Sequence, residues 1–166
     1  MNQYKQLPSP PEQLSAGTIL KRLLDGSGFR YSIAVDTLDK TLHDFRPVDS
    51  SMSIYEVNQH IFHLFRLTAK SLSLNPPIVH GDSFEIYRDN VFILITAISE
   101  CLGEISDDDL ARVNVHLKRL DKDFSFWYLI NGFLADALTH IGQIISWRRI
   151  AGSPVKRISP FTGDLY

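Results

Sequence analysis

Residues 126–147 read FWYLINGFLADALTHIGQIISW, and this stretch predicts the last long helix of the fold. At about 100° per residue, its side chains include a set that shares one arc of roughly 100°. That set is Leu129, Phe133, Asp136, His140, Gln143, Ile144 and Trp147. Because most of the set is apolar, we expect the arc to face the core. Asp136 and His140, one turn apart, would then need a partner, since an unpaired buried charge costs several kcal/mol.

Three further segments have helical periodicity, which predicts an all-α fold, a four-helix bundle. The predicted helices span residues 15–43, 53–73, 85–102 and 124–151, with a short helical piece at 106–113. Gly26 and Gly28 are expected to kink the first helix. Ser53 and Glu56 match a capping box at the start of the second. The segment 115–123 is compatible with either a strand or a loop, and we expect no strand pairing.

The prolines at positions 8, 10 and 11 predict an extended arm over residues 1–13, ahead of a bundle domain over residues 14–166. The net charge of -2, from 17 basic and 19 acidic side chains, gives no general attraction to nucleic acid or to anionic membranes. The single cysteine excludes an intrachain disulfide. No apolar run approaches the roughly twenty residues that cross a bilayer. We therefore expect a cytoplasmic protein that binds neither nucleic acid nor membranes.

Asp136 and His140 have the i, i+4 spacing that presents two side chains to one metal ion. A plain hydrogen-bonded Asp–His pair is the alternative. His60 lies about 100° from Ile61, at the edge of the apolar face of the second helix, and can turn toward the last helix. Two imidazoles and one carboxylate leave coordination positions open, and they suit zinc, nickel or iron without choosing among them. No catalytic residue beyond these ligands is identified.

Three other polar side chains are candidates around this site. Gln143 is expected to orient His140 or a bound water from the second shell of the metal. Asn131 and Arg148 are candidates for a substrate rim. The basic residues near the end of the last helix have a simpler interpretation as cations at a helix C-terminus, with a rim for an anionic substrate as the alternative. These are Arg148, Arg149, Lys156 and Arg157.

The motif NGFLADALTHIGQIISWRR, residues 131–149, resembles one branch of the DinB-like superfamily of four-helix bundles. Ser53-Ile54 with His60-Ile61 is similar to the second helix of that superfamily, and Gly152-Ser-Pro154 and the segment 159–163 extend the likeness. The resemblance covers about residues 15–163. It implies a homodimeric bundle with one metal site, held in many relatives by three histidines. His60 and His140 occupy two of those places, and Asp136 stands in the third.

Relatives of this kind include thiol-dependent transferases and metal-dependent hydrolases, so the resemblance implies a metalloprotein with one of these activities on a small-molecule substrate. The metal would lower the pKa of a water or of a thiol. A second hypothesis is a non-catalytic dimeric interaction module, whose polar trio forms a buried hydrogen-bond network.

Overall fold

The computed structural model describes residues 3–117, 120–159 and 161–164. The predicted arm, the segment 115–123 and the motif 159–163 each include residues outside these ranges. Four long helices carry the fold: α1 (Ala16–Val35), α2 (Ile54–Ser71), α3 (Phe84–Glu104) and α6 (Ala135–Ile150). The short helices α4 (Asp107–Ala111) and α5 (Phe126–Leu129) lie between α3 and α6. The predicted all-α class is therefore confirmed.

The long helices pack so that α1 and α2 each lie against both α3 and α6. Their apolar faces form one core, with Tyr31, Ile61, Ile95 and Ile141 fully buried. Since α2 and α6 are neighbours, residues at the edges of their apolar faces can meet along the seam between them. Across the described residues, none of the helices combines the length and the apolar composition that crossing a bilayer requires.

Helix α1 runs without a break through Gly26 and Gly28, so the predicted kink is wrong. Close packing accounts for the glycine at position 28, because a Cβ there would come within 2.8 Å of the Tyr4 ring. Tyr4 is fully buried and belongs to a 3-10 turn, Gln3–Lys5, inside the arm that was predicted to be extended. Helix α1 also ends at Val35, well before the predicted residue 43, and a second 3-10 turn follows at Lys40–Leu42.

The capping box at Ser53 is confirmed, because the Ser53 hydroxyl accepts from the Glu56 amide and the Glu56 carboxylate accepts from the Ser53 amide. The expectation of no strand pairing is wrong. Strand β1 (Asn114–Leu117) pairs antiparallel with β2 (Lys122–Ser125), with Val115 opposite Phe124. The hairpin buries Val115 and leads directly into α5.

Candidate metal centre

The predicted last helix is interrupted by a π-helical turn, Ile130–Leu134, immediately before α6. The Ala135 amide donates to the Ile130 carbonyl, five residues back. One wide turn rotates everything that follows it relative to an ideal α-helix. The buried residues of α6 are therefore Ala137, Ile141, Ile144, Trp147 and Arg148. Asp136, His140 and Gln143 each precede a buried residue by one position, which puts them on the flank of the apolar face.

His60 occupies the matching position on α2. It precedes Ile61, which is fully buried, and its own side chain is 38% exposed. Its place at the edge of the apolar face is as predicted. Because α2 packs against α6, the flank that carries His60 faces the flank that carries Asp136 and His140.

The three predicted ligands lie together. His60 Nε2 is 3.4 Å from Asp136 Oδ2, and His140 Nε2 is 3.4 Å from Asp136 Oδ1. The two imidazole rings are nearly perpendicular, with centroids 4.7 Å apart. One nitrogen or oxygen atom from each residue lies within 4.8 Å of the other two. Within the described ranges, no other three His, Cys, Asp or Glu side chains meet in this way.

Gln143 fixes the orientation of the His140 ring. Its Oε1 lies 2.7 Å from His140 Nδ1, a short hydrogen bond that needs the proton on Nδ1. In the neutral ring, this leaves the Nε2 lone pair directed toward Asp136 and available to an electrophile. A histidine that ligates a metal commonly donates its other ring N–H to an acceptor of this kind.

The cluster is more open to solvent than the sequence predicts. The Asp136 side chain is 46% exposed and that of His140 is 17% exposed. Burial therefore does not force these groups to find a cation, because water reaches Asp136 directly. The convergence of the three side chains is therefore the observation that favours a bound cation. Their exposure also leaves an accessible face on which a ligand can bind.

A cavity of about 410 Å³ adjoins His60 on the side away from the core. It lies between α2 and the loop 46–52, and Arg46, Glu56, Gln59 and His63 line it. Arg46 pairs with Glu56 at 2.8 Å and holds the pKa of that carboxyl below its usual value. Burial lowers the pKa of His63, which favours the neutral ring.

None of these four cavity residues belongs to the site that the sequence predicts. Glu56 and His63 are four residues before and three after His60, and Gln59 immediately precedes it, so all share one face of α2. That spacing was the available signal. The structure shows His63 lining the cavity beside His60.

The two predicted rim residues lie elsewhere. Arg148 is 2% exposed, and its guanidinium donates to the carbonyl oxygens of Ala34 at 2.9 Å, Asp36 at 2.7 Å and Ser153 at 3.0 Å. Its place on a substrate rim is therefore corrected to a structural one at the end of α1. Asn131 is exposed in the π turn, beside a cavity that faces the hairpin.

No protein-family model, no curated protein and no solved structure matches this chain. The DinB-like resemblance therefore stays a prediction from the motifs, and the local geometry of the cluster carries the functional argument.

Proposed function

We propose that this chain is a divalent-metal-binding protein of the DinB-like type, with His60, Asp136 and His140 as the ligands. The observation that carries the proposal is the approach of the three side chains, from two helices far apart in sequence, to within 4.8 Å of one another. The ligand positions, one on the second long helix and two on the last, also agree with the arrangement implied by the resemblance.

The spacing within the cluster suits a shared ion, and it also allows a long direct hydrogen bond between His60 and Asp136. Hydrogen bonds of this kind prefer about 2.7–3.2 Å, and both His–Asp separations are 3.4 Å. Two ligands at about 2.1 Å from a tetrahedral ion lie about 3.4 Å apart. The 3.4 Å separations of His60 and His140 from Asp136 are therefore close to the spacing of two ligands on one ion.

The donor set suits zinc, nickel or ferrous iron, because two imidazole nitrogens and one carboxylate oxygen leave further positions open. When bound, such an ion would lower the pKa of a water or of a small thiol, the chemistry of a hydrolase or a thiol transferase. Gln143 would hold His140 in the tautomer that ligates. The Asp136 oxygen not used as a ligand would accept a proton or a hydrogen bond from the nucleophile.

A substrate would approach over the cavity beside His60. That cavity is lined by both charged and neutral polar groups, and Gln59 is held there because its Nε2 donates to the Tyr87 hydroxyl at 2.9 Å. This orientation leaves the Gln59 carbonyl oxygen as an acceptor for a substrate N–H or O–H. The proposed substrate is accordingly a small polar molecule, and the proposed assembly is a homodimer, as in the resembled superfamily.

Metal content tests the proposal. The protein, purified without a metal-affinity tag and incubated with zinc, should retain about one equivalent per chain after gel filtration. His140→Ala should retain far less, whereas His80→Ala, a change at an exposed loop histidine, should match the parent. Chelation should lower the melting temperature of the parent and of His80→Ala only. Equal, negligible zinc in all three proteins would remove the proposal and leave the interaction-module alternative.

A further inference from the structure

The C-terminal end of the helical core carries a second cavity, remote from the metal ligands. Its volume is about 300 Å³, and it lies between α1, α6 and the segment 155–159. Its nearest residues on α6 are Ile145 and Arg149, which follow His140 by five and nine positions. At a rise of 1.5 Å per residue these lie about 7.5 and 13.5 Å along the helix from His140. The two sites are therefore separate.

The end of α6 explains how the segment 155–159 comes to form a wall. Gly152 has a φ of 78°, the left-handed conformation that glycine adopts without strain. The Gly152 amide donates to the Arg149 carbonyl, and the Ser153 amide donates to the Arg148 carbonyl. This helix-ending motif reverses the chain. Arg148 secures the reversal, because its Nε donates to the Ser153 carbonyl while its Nη1 holds the end of α1.

The floor of the cavity is apolar and its edge is cationic. Phe29, Ile33, Ile145, Val155 and Ile158 supply apolar surface from three parts of the chain. The charged lining residues are Arg30, Arg149, Lys156 and Arg157, and no carboxylate lines the cavity. In the described part of the chain, none of these four cations forms an ion pair. Acidic side chains slightly outnumber basic ones in the whole sequence, so unpaired cations gathered around one cavity represent a local excess of positive charge.

Arginine and lysine side chains around an apolar floor match a particular class of ligand. Guanidinium groups bind phosphate, sulfonate or carboxylate groups through paired N–H donors. Apolar pockets of a few hundred Å³ with a few polar groups at the edge are typical of small-molecule sites. We propose that this cavity binds a small organic anion, with an aromatic or aliphatic body on Phe29 and Ile145 and an anionic group between Arg149 and Lys156.

Naphthalene-1-sulfonate is a suitable probe, because it has both parts and contains no bond that the proposed metal centre would hydrolyse. We expect it to bind at about millimolar affinity or tighter. Backbone amide shifts in NMR spectra should change at Phe29, Ile33, Ile145 and Ile158. 1-Naphthol, which lacks the charge, and inorganic sulfate, which lacks the body, should each bind about tenfold more weakly.

Charge reversal supplies the matched comparison. The double variant Arg149→Glu/Lys156→Glu changes two exposed side chains and should weaken binding of the probe by about tenfold or more. Lys70→Glu, at an exposed lysine in the last turn of α2, should leave binding within about twofold. If the double variant does not fold, Arg149→Gln/Lys156→Gln should still weaken binding measurably. His140→Ala should bind the probe as the parent does, so a failed metal proposal leaves this test intact.

Several outcomes would overturn the inference. One is the lack of any saturable amide shift even at naphthalene-1-sulfonate concentrations well above the millimolar range, and another is a set of shifts centred on another region. The inference also fails if 1-naphthol binds as tightly as the sulfonate, or if Lys70→Glu weakens binding as much as the double variant. Binding to phosphatidylserine vesicles without binding of the free sulfonate would also overturn it, and would indicate a membrane-facing basic patch.

Discussion

Both ring nitrogens of His140 face polar atoms of neighbouring side chains. Its Nδ1 is occupied by Gln143 at 2.7 Å, and its Nε2 faces Asp136 at 3.4 Å. An isolated imidazole exchanges between two tautomers, and the hydrogen bond from one nitrogen selects which lone pair is free. Gln143 is therefore expected to contribute to metal affinity without touching the ion.

Replacing Gln143 by Leu tests that expectation. The acceptor for His140 Nδ1–H disappears, so zinc affinity should fall by about 10–100-fold. Gln143→Glu keeps an acceptor oxygen and should bind zinc at least as tightly as the parent. Competition with a fluorescent zinc chelator measures both. Equal zinc affinity in Gln143→Leu and the parent would show that the hydrogen bond is incidental.

Arg148 has a structural place at the end of α1 and not the place on a substrate rim for which it was a candidate. Its buried guanidinium donates to carbonyls at the end of α1, and its removal would take this donor from the buried Ala34 oxygen and from the part-buried Asp36 oxygen. Arg148→Ala should therefore lower the free energy of unfolding by about 3 kcal/mol, measured by urea denaturation. The exposed neighbour Arg149 gives the control, since Arg149→Ala should change the free energy of unfolding by less than about 0.5 kcal/mol.

Zinc affinity separates this structural role from the expected rim. Arg148→Ala protein that remains folded should bind zinc as the parent does. A large loss of zinc affinity with little loss of stability would restore Arg148 to the site.

At the scale of single residues, the sequence predicts the grouping of His60, Asp136 and His140 better than it predicts their environment. The i, i+4 spacing was enough to pair Asp136 with His140, and the edge position of His60 was enough to bring it into the set. Their exposure was not predictable, because it depends on the angle at which α6 starts after the π turn. The buried state of Arg148 depends on where α1 ends, which its own local sequence does not encode.

Among the elements, the π turn Ile130–Leu134 decides the face that α6 presents. A wheel drawn at a constant 100° aligns Leu129 and Phe133 with Asp136 and predicts one continuous buried stripe. On α6, Ala137 and Ile141 are buried in place of Asp136 and His140, whereas Ile144 and Trp147 are buried as the wheel predicts. Periodicity within α6 was correctly recognised, and its phase relative to the preceding turn was not. A single wide turn has no strong sequence signature.

Helix α1 is a second element that the sequence pattern did not predict correctly, because its Gly28 allows close packing and does not kink the helix. Gly28→Ala should lower the free energy of unfolding by about 1–3 kcal/mol, since the new methyl group would clash with the Tyr4 ring at 2.8 Å. Gly142→Ala is the matched change. It lies exposed in α6 with no atom within 4 Å of a new Cβ, so it should raise stability by about 0.5–1 kcal/mol.

Thermal and urea denaturation of the two alanine variants measure this pair. Stabilisation by Gly28→Ala would mean that the 3-10 turn carrying Tyr4 does not pack on α1 as described, and that helix propensity alone governs both positions.

For the whole molecule, the helical class was predictable because it rests on two kinds of signal, the apolar periodicity of four segments and the Ser53 cap. The hairpin of β1 and β2 was not, since four-residue strands hold too few alternating side chains to be told from a loop. The pairing of α2 with α6, which brings the ligands together, is a long-range property that no local pattern specifies.

Acid should weaken the fold through carboxylates distributed over several elements. Hydrogen bonds from Tyr55 and Tyr87 hold the pKa of Asp82 below its usual value, and Arg46 does the same for Glu56. A carboxyl whose pKa is lower in the folded state stabilises the fold at pH values above its unfolded-state pKa of about 4. This contribution is lost as the pH falls through the folded-state pKa. Urea midpoints should therefore drop between pH 5 and pH 3, and Asp82→Asn should flatten that slope. An unchanged slope in Asp82→Asn would exclude this carboxylate as a contributor.

X-ray absorption spectroscopy of the zinc-loaded protein tests the central claim most directly. A shared site predicts two imidazole nitrogens and one carboxylate oxygen at about 2.0–2.2 Å, with a low coordination number. Loss of the imidazole scattering in His60→Ala/His140→Ala should accompany loss of the zinc. A shell of oxygen ligands alone, unchanged in the double variant, would contradict the assignment of His60, Asp136 and His140 as a metal centre.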